Sequence, residues 1–316
     1  MKVVYWAGLA LLLDLCLGDP RWLPHPVRGL GVLIAFSERG LRAVFPKHEK
    51  LAGILLAGAI GLGTYGFCSG LVIFSQKLAP FWRESVQVIL IYFSLAPRDL
   101  GAHGLRVFRH LKEKKLEMAK SKVSMMVGRD VAPLDEKGVI RAAVESIAEN
   151  TVDGVVAPLF FALLGGGPAA MAYRAVNTLD SMVGYREPPY TRLGWASARL
   201  DDLLNFLPAR LTAGVMPLAG VLFGGSVLRG YRVLLRDGRK HESPNAGLPE
   251  AAMAGLLGVQ LRGPHYYSGI CDHAPFIGFA ERGIKNQDIL KAIGVMAVST
   301  LFIFLLLASF RWLAFN

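Results

Sequence analysis

The sequence predicts an all-α fold: a polytopic bundle of membrane helices with broken or re-entrant helices and cytoplasmic helical loops. Hydrophobic residues make up 53% of the 316 positions and charged residues only 19%, whereas soluble domains carry about 25% charged residues. The apolar residues are also clustered, most clearly at residues 51–78. A third observation is the break Gly165-Gly166-Gly167-Pro168 inside the apolar run 155–172. Protein or a cavity must satisfy the backbone at such a break, so we expect a re-entrant hairpin or two short helices that meet there.

The remaining elements follow from periodicity and helix signals. Residues 3–17 predict a retained membrane helix, because Asp14 interrupts the apolar run and no cleavage pattern follows. Residues 27–45 predict an amphipathic helix on the membrane surface. Prolines on both sides of His25 predict an extended loop at residues 21–26. Further apolar helices are expected at residues 51–78, 86–96, 203–228 and 289–313.

The polar region 98–141 is rich in lysine and arginine, which is typical of a cytoplasmic segment. Its periodicity predicts one helix over residues 100–126, a turn at Val127-Gly128-Arg129-Asp130 and a new helix beginning at Asp135. We expect a single membrane-embedded domain, residues 1–316. A helical insertion at about 98–150 and a loop at about 229–288 would face the cytoplasm, and residues 261–280 would be irregular.

Several patterns argue against other functions. Residues 61–66 read GLGTYG, but no βαβ context surrounds them, so the dinucleotide interpretation fails. The neighbouring Gly66 and Gly70 form a GxxxG motif that predicts close helix packing. The three cysteines form no CxxC or Cys/His cluster, so neither a zinc site nor a disulfide framework is supported. No nucleic-acid recognition motif accompanies the net charge of +11, so that charge indicates cytoplasmic loops, anionic lipid and anionic ligands.

An acidic stripe marks the candidate site. Glu145, Glu149 and Asp153 are four residues apart, so on a helix their carboxylates line one face. A cation such as Mg²⁺ carrying a nucleotide would relieve their repulsion, and a solvated acidic face is the alternative. Similarly, Pro249 and Glu250 predict a helix start, which is either an anion site or an ordinary capped turn.

Short motifs in one order span nearly the whole chain. They are GDP at 18–20, PHPV at 24–27, VGRD at 127–130, ESIAEN at 145–150, DG at 153–154, YRAVNTLDSMVGY at 173–185, GWASARLDD at 194–202, PARL at 208–211 and SPNAG at 243–247. Together they resemble the CbiB/CobD family of cobalamin biosynthesis, the adenosylcobinamide-phosphate synthases.

The resemblance implies an ATP-dependent carbon–nitrogen ligase in the cytoplasmic (inner) membrane, multi-pass, with its active site facing the cytoplasm. It would join the corrinoid adenosylcobyric acid to (R)-1-aminopropan-2-ol phosphate, or to aminopropanol, through an acyl phosphate. The product would be adenosylcobinamide phosphate, a late intermediate of vitamin B12 biosynthesis. The expected co-substrate is ATP, and the expected metal is Mg²⁺. The expected partners are the lipid bilayer and other membrane enzymes of the pathway. Nucleic acid is not an expected partner, and a homo-oligomer is possible.

Residue roles follow from matching these motifs to that chemistry. Phosphoryl transfer needs metal and guanidinium partners, and the amine must lose a proton. The expected catalytic residues are Glu145, Glu149, Asp153, Asp202 and His25. The expected metal ligands are Glu145, Glu149, Asp180 and Asp201. The expected substrate- or nucleotide-binding residues are Arg129, Asn150, Arg174, Asn177, Ser181, Arg199, Asn205, Ser243 and Asn245. A lone histidine such as His25 is more often structural.

Two alternatives stay open at this point. Broken helices and buried ionisable residues also mark transporters and channels, although most charges here lie at segment ends and in loops. A non-enzymatic membrane sensor of the AmpE type is the second alternative, and the intact Glu145, Glu149 and Arg199 motifs argue against it.

Overall fold

The computed structural model describes residues 2–19, 25–185, 187–267 and 269–315. This part of the chain is mostly helical, as predicted. The helices are α1 (Lys2–Leu17), α2 (Pro26–Val44), α3 (Glu49–Leu78), α4 (Pro80–Ser94), α5 (Pro97–Lys112), α6 (Leu116–Val123), α7 (Glu136–Thr151), α8 (Ala157–Val183), α9 (Trp195–Leu204), α10 (Phe206–Ala219), α11 (Val227–Asp237), α12 (Gly247–Leu257) and α13 (Gln287–Phe315). A π-helical segment (Val152–Val156) joins α7 to α8, and a 3-10 helix (Gly220–Phe223) follows α10. Of the extended loop predicted at residues 21–26, residues 21–24 lie outside the described residues. His25 is extended, with φ −79° and ψ 125°, and Pro26 already begins α2.

Four short strands occupy the segment that the sequence predicts to be irregular, so that prediction was wrong. β1 (Leu261–Arg262) pairs with β4 (Phe276–Ile277), and β2 (His265–Tyr267) pairs with β3 (Ile270–Asp272), both antiparallel. Each strand is only two or three residues long, too short to show a hydrophobic alternation.

Four helical stretches are long and apolar enough to cross a membrane: Glu49–Leu78, Glu136–Val183, Phe206–Phe223 and Gln287–Ala314. The chain is therefore an all-α polytopic membrane protein. Helix α1 has 16 residues, fewer than the roughly 20 that cross the hydrocarbon core.

The chain divides into two compact units. Unit 1 comprises residues 1–96, 157–205 and 307–316, and unit 2 comprises residues 97–156 and 206–306. The insertion and the loop predicted at about 98–150 and 229–288 both belong to unit 2. That second segment is not a plain loop, because it contains most of α11, all of α12 and the four strands.

The core of unit 1 forms where α2, α3, α8 and α9 meet. Ile34, Leu56, Leu179 and Leu193 are almost completely buried there. Helix α3 comes so close to the chain before α9 that a Cβ on Gly53 would lie 1.9 Å from the carbonyl oxygen of Leu193. Glycine is therefore required at residue 53 for this packing.

Helix α8 is sharply bent at the predicted glycine break. Gly166 has φ +72° and ψ −160°, which only glycine adopts readily. The rings of Phe161 and Tyr173 stack with centroids 5.2 Å apart, whereas in a straight helix residues at this separation lie about 18 Å apart. The two arms of α8 therefore fold back on each other. The side-chain oxygen of Gln87 accepts a hydrogen bond of 2.6 Å from the Gly167 N–H at the bend, so the backbone there is satisfied by protein.

Two sequence predictions about helix continuity and packing were wrong. Residues 100–126 form two helices rather than one, because α5 ends at Lys112 and Lys114 has φ +57°. The N–H groups of Lys114 and Lys115 donate to the carbonyls of Leu111 and His110, which is the hydrogen-bond pattern of a Schellman cap. A lysine in the position that glycine usually occupies hides this helix end from sequence reasoning.

The second wrong prediction concerns the GxxxG motif on α3. A Cβ on Gly66 or Gly70 would meet no atom within 4 Å in the described part of the chain. Close helix packing on α3 instead involves Gly53 and Gly61, and the added Cβ at Gly61 would lie 3.3 Å from Val176.

Candidate active site

A polar cavity of about 210 Å³ lies within unit 2. It is bordered by α7, by the turn before it, by the first turn of α12 and by the strands β1 and β2. Its lining residues are Met126, Val127, Gly128, Arg129, Glu145, Ser146, Glu149, His241, Glu250, Arg262, His265 and Tyr267. Two guanidinium groups and three carboxyl groups from distant parts of the sequence therefore share one small space.

Glu145 is held in the cavity by two donors. Its Oε2 accepts a hydrogen bond of 2.5 Å from Arg129 Nη2, and its Oε1 accepts a short hydrogen bond from the backbone N–H of Arg262. The Arg129 and Glu145 side chains are only 11% and 7% exposed. Because burying either charge alone would be costly, each fixes the other in place.

The turn that carries Arg129 is fastened at both ends. Ser146 Oγ donates to the carbonyl of Met126 at 2.8 Å. The Asp130 N–H donates to the Tyr266 carbonyl at 2.8 Å. The Asp130 carboxylate accepts a hydrogen bond from the Gly269 N–H at 2.7 Å. The short hairpin of β2 and β3 therefore positions the guanidinium of Arg129.

The strands also bring Arg262 and His265 to the cavity. Arg262 is buried and has φ +57°, and its carbonyl accepts a hydrogen bond of 3.2 Å from Arg141 Nη1. His265 Nδ1 lies 3.0 Å from the Gly263 carbonyl oxygen, and Nε2 lies 3.3 Å from Asp272 Oδ2. Both ring nitrogens thus have polar neighbours, which gives His265 a positioning role in the wall.

Glu250 is the most deeply buried carboxyl of the cavity. It stands in the first turn of α12, is 4% exposed, and its Oε2 has no hydrogen-bond partner. Burial, and then the negative charges of Glu145 and Glu149, raise the pKa of Glu250 well above its usual value, although Arg262 and Arg129 oppose the shift. The Tyr267 pKa is also raised, chiefly by burial.

The other predicted residues of unit 2 are not among the residues that line the cavity. Asn150 Nδ2 donates to the Ser146 carbonyl at 2.9 Å, and Asp153 lies in the π-helical segment after α7. Ser243 Oγ accepts from the N–H groups of Asn245 and Ala246 at 3.2 and 3.3 Å. Asn245 Oδ1 accepts from Arg210 Nη1 at 3.1 Å. Ser243 and Asn245 therefore order the turn that leads into α12.

Unit 1 contains a separate polar network. Asp201 on α9 accepts hydrogen bonds from Asn177 Nδ2 on α8 at 3.2 Å and from Asn205 Nδ2 at 2.9 Å. The Tyr173 hydroxyl donates to Asn205 Oδ1 at 2.8 Å. Burial raises the pKa of Asp201 to about 6, with a smaller raising contribution from Asp202, while the two amide hydrogen bonds oppose the shift.

The remaining predicted residues of unit 1 lie on the same two helices, except for His25. Arg174, Asp180 and Ser181 are on α8, and Arg199 and Asp202 are on α9. Ser181 Oγ donates back to the Asn177 carbonyl within α8. Convergence of this set with the acidic stripe on one pocket stays a prediction.

His25 is engaged structurally. Its Nδ1 accepts from the Val27 N–H at 3.3 Å and caps α2. Its Nε2 lies 3.2 Å from Asp19 Oδ1, and its ring meets Phe93 edge-on. These contacts hold the imidazole in place, and the catalytic role of His25 stays a prediction.

No group of three or more His, Cys, Asp or Glu side chains is arranged to hold a metal ion within the ranges that the structure describes. The predicted metal ligands are divided in this way: Glu145 and Glu149 line the unit 2 cavity, while Asp180 and Asp201 belong to unit 1.

Comparison with known proteins identifies the family. The CobD/Cbib protein family matches residues 7–296. The chain belongs to the CobD/CbiB family. It is 44% identical over 313 residues to cobalamin biosynthesis protein CbiB of Salmonella typhi, covering 98% of each chain.

Two further relatives carry the name cobalamin biosynthesis protein CobD. That of Pelobacter propionicus is 46% identical, covering 93% of this chain and 91% of the relative. That of Geobacter metallireducens is 50% identical, covering 85% of this chain and 84% of the relative. No solved structure matches the chain.

For this CobD/CbiB family member, sequence reasoning missed part of the cavity wall. Glu250 was noted only as a residue near a helix start, while Arg262, His265, Tyr267 and His241 were not singled out. The one signal available was an acidic residue in an otherwise apolar helix, GLPEAAMAGLL, because such residues are rarely buried without a purpose.

Proposed function

We propose that this protein is a membrane enzyme of cobalamin biosynthesis that forms an amide bond at the expense of ATP. It joins a carboxyl of adenosylcobyric acid to the amine of (R)-1-aminopropan-2-ol phosphate and gives adenosylcobinamide phosphate, ADP and phosphate. The family and the names of its relatives support the pathway. The observation that carries the chemistry is the unit 2 cavity, which combines buried guanidinium and carboxyl groups.

The reaction needs both kinds of group. A carboxylate oxygen of the corrinoid attacks the γ-phosphorus of ATP, ADP leaves, and an acyl phosphate forms. The ammonium group gives one proton to a base, the free amine nitrogen attacks the acyl carbon, phosphate leaves, and that phosphate takes the second proton from the nitrogen. Arg129 and Arg262 can neutralise phosphate charge, while a carboxyl group of the cavity that holds no metal ion is suited to bind the ammonium group and to accept its proton. Glu145 fixes Arg129 and the Arg262 backbone, so we assign it a positioning role.

Mg²⁺ fits this donor set when it arrives with the nucleotide. Nucleotide-bound Mg²⁺ needs only one or two protein carboxylates, because phosphates and waters supply its other ligands. Both oxygens of Glu145 already accept hydrogen bonds, so we assign the ion to Glu149. Mg²⁺ would there neutralise charge that develops on the transferred phosphoryl group.

Size and location complete the proposal. Pockets for drug-sized ligands are about 300–1,000 Å³, so a cavity of about 210 Å³ suits a small substrate or a reacting group rather than a whole corrinoid. Because ATP is cytoplasmic, we place the cavity on the cytoplasmic side of the inner membrane. Arg174, Arg199 and the Asp201 network are proposed to bind the larger substrates.

The direct test is turnover by purified protein in detergent. Adenosylcobyric acid, aminopropanol phosphate and ATP should give the amide and ADP in equal amounts. Glu149→Gln should lower turnover at least about a hundredfold, while Glu113→Gln, on the exposed turn after α5, should retain it. Full activity of Glu149→Gln would refute the site, and substrate uptake into proteoliposomes without product would favour the transporter alternative.

A further inference from the structure

Three polar atoms of the unit 2 cavity wall are buried without a hydrogen-bond partner among the described residues. They are Glu250 Oε2, Arg129 Nε and Arg262 Nη1. Glu250 is 4% exposed and Arg262 is 9% exposed. An unsatisfied buried donor or acceptor is destabilising, so three around one cavity indicate a ligand that supplies the missing partners.

The charges restrict the chemistry of that ligand. The two guanidinium groups require an acceptor, and arginine is best matched by the oxygens of a phosphate. The carboxyl oxygen of Glu250 requires a donor. A ligand that satisfies all three atoms at once therefore has an anionic end and a donor end, and the cavity of about 210 Å³ keeps it small.

We infer that this cavity is the binding site for the amine co-substrate, an aminoalkyl phosphate, with Arg129 and Arg262 on its phosphate and Glu250 on its amino group. The identity of the ligand rests on the proposed function. The placement rests on the three buried atoms, and it assigns to Glu250 and Arg262 the recognition of the two ends of this substrate.

The wall supports the assignment, because its charged groups are fixed before any ligand arrives. Glu145 holds Arg129 through its guanidinium and Arg262 through its backbone N–H. The Arg262 side chain is therefore left for the ligand, while its main chain is already fastened to α7. Preorganised groups of this kind lose little freedom on binding.

Binding measured without ATP or corrinoid tests the inference. The probes are 1-aminopropan-2-ol phosphate, propan-2-yl phosphate, which lacks the amine, and 1-aminopropan-2-ol, which lacks the phosphate. By isothermal titration in detergent, the wild-type protein should bind the first at least about tenfold more tightly than the second. Equal affinity would overturn the inference without any variant.

The variants then assign each end of the ligand. Glu250→Gln should lower the affinity for aminopropanol phosphate at least about tenfold and leave the affinity for propan-2-yl phosphate unchanged. Arg262→Gln should lower the affinity for both phosphates and leave the affinity for aminopropanol unchanged. Glu113→Gln is the folded control. If Glu250→Gln lowers the affinity for both phosphates by the same factor, the assignment is wrong.

Failure of the inference and failure of the proposed function can be distinguished. Selective binding of the aminoalkyl phosphate without amide synthesis would leave the cavity assigned and refute the ligase. Amide synthesis by wild-type protein that binds both phosphates equally would leave the ligase in place and refute the cavity assignment.

Discussion

The Arg129–Glu145 pair should contribute strongly to stability, because both charges are buried. Removing one partner leaves the other as an uncompensated charge, which typically costs about 3–5 kcal/mol. The side chains of Arg129 and Glu145 are 11% and 7% exposed. Because Glu145 also accepts a hydrogen bond from the Arg262 N–H, Glu145→Gln should cost close to the upper limit of this range, about 5 kcal/mol. At about 2 °C per kcal/mol for a chain of this size, the unfolding midpoint should fall by roughly 6–10 °C.

A double-mutant cycle separates the pair from the surrounding contacts. Glu145→Gln, Arg129→Met and the double variant would be compared by thermal unfolding in detergent, and the double variant should lose clearly less than the sum of the single losses. The exposed pair Glu113–Lys115, with side chains 53% and 59% exposed, is the matched control and should show no measurable coupling. Additive losses for Arg129 and Glu145 would refute the claim that they act as a buried unit.

Other predictions concern unit 1. Gly53→Ala places a Cβ 1.9 Å from a carbonyl oxygen, so the unfolding midpoint should fall by at least about 4 °C. Gly58→Ala on the same helix meets no atom of the described residues within 4 Å and should keep or slightly raise the midpoint, because alanine is the better helix former. Equal midpoints would contradict the packing of α3. Because the pKa of Asp201 is raised to about 6 from 3.8, the contribution of Asp201 to stability should be greatest below pH 4 and fall by about 3 kcal/mol as the pH rises through 6. Asp201→Asn should flatten this dependence of the midpoint, and an unchanged slope would contradict it. Gln87→Leu leaves the Gly167 N–H at the bend of α8 without its acceptor and should cost about 1–3 kcal/mol, and a midpoint like that of the wild type would count against the role of Gln87.

Helix positions were predictable where the hydrophobic pattern extends over many residues. The predicted segments 3–17, 27–45, 51–78 and 289–313 correspond to α1, α2, α3 and α13 within a few residues. The start of α7 was predictable because Asp135 is a strong N-cap, and its carboxylate accepts from the Gly138 N–H at 2.7 Å. The break in α8 was predictable because three glycines and a proline interrupt an apolar run.

Local backbone features without a sequence signal were not predictable. Lys114 ends α5 in a conformation that usually belongs to glycine, and the strands near residue 265 are too short to alternate. The GxxxG motif on α3 was a misleading signal, because small residues permit close packing but do not require it. Gly53, which does pack closely, has no distinctive neighbours in the sequence.

The candidate site was predictable in part. The spacing of Glu145 and Glu149 placed both on one face of α7, and both line the cavity. Arg129 followed from the family motif. Glu250 and Arg262 could not be found in this way, because their proximity to α7 depends on tertiary contacts between α12, the strands and α7, more than a hundred residues apart in the chain.

Transfer of an oxygen atom from the corrinoid carboxyl to the released phosphate is the most direct measure of amide synthesis through an acyl phosphate. Adenosylcobyric acid labelled with ¹⁸O in its reactive carboxyl would be turned over with ATP and aminopropanol phosphate, and the released phosphate analysed by mass spectrometry. The released phosphate should carry one labelled oxygen for each amide formed by the wild-type protein, and Glu149→Gln should show no transfer. Unlabelled phosphate alongside full amide yield, or release of AMP and pyrophosphate, would contradict this mechanism.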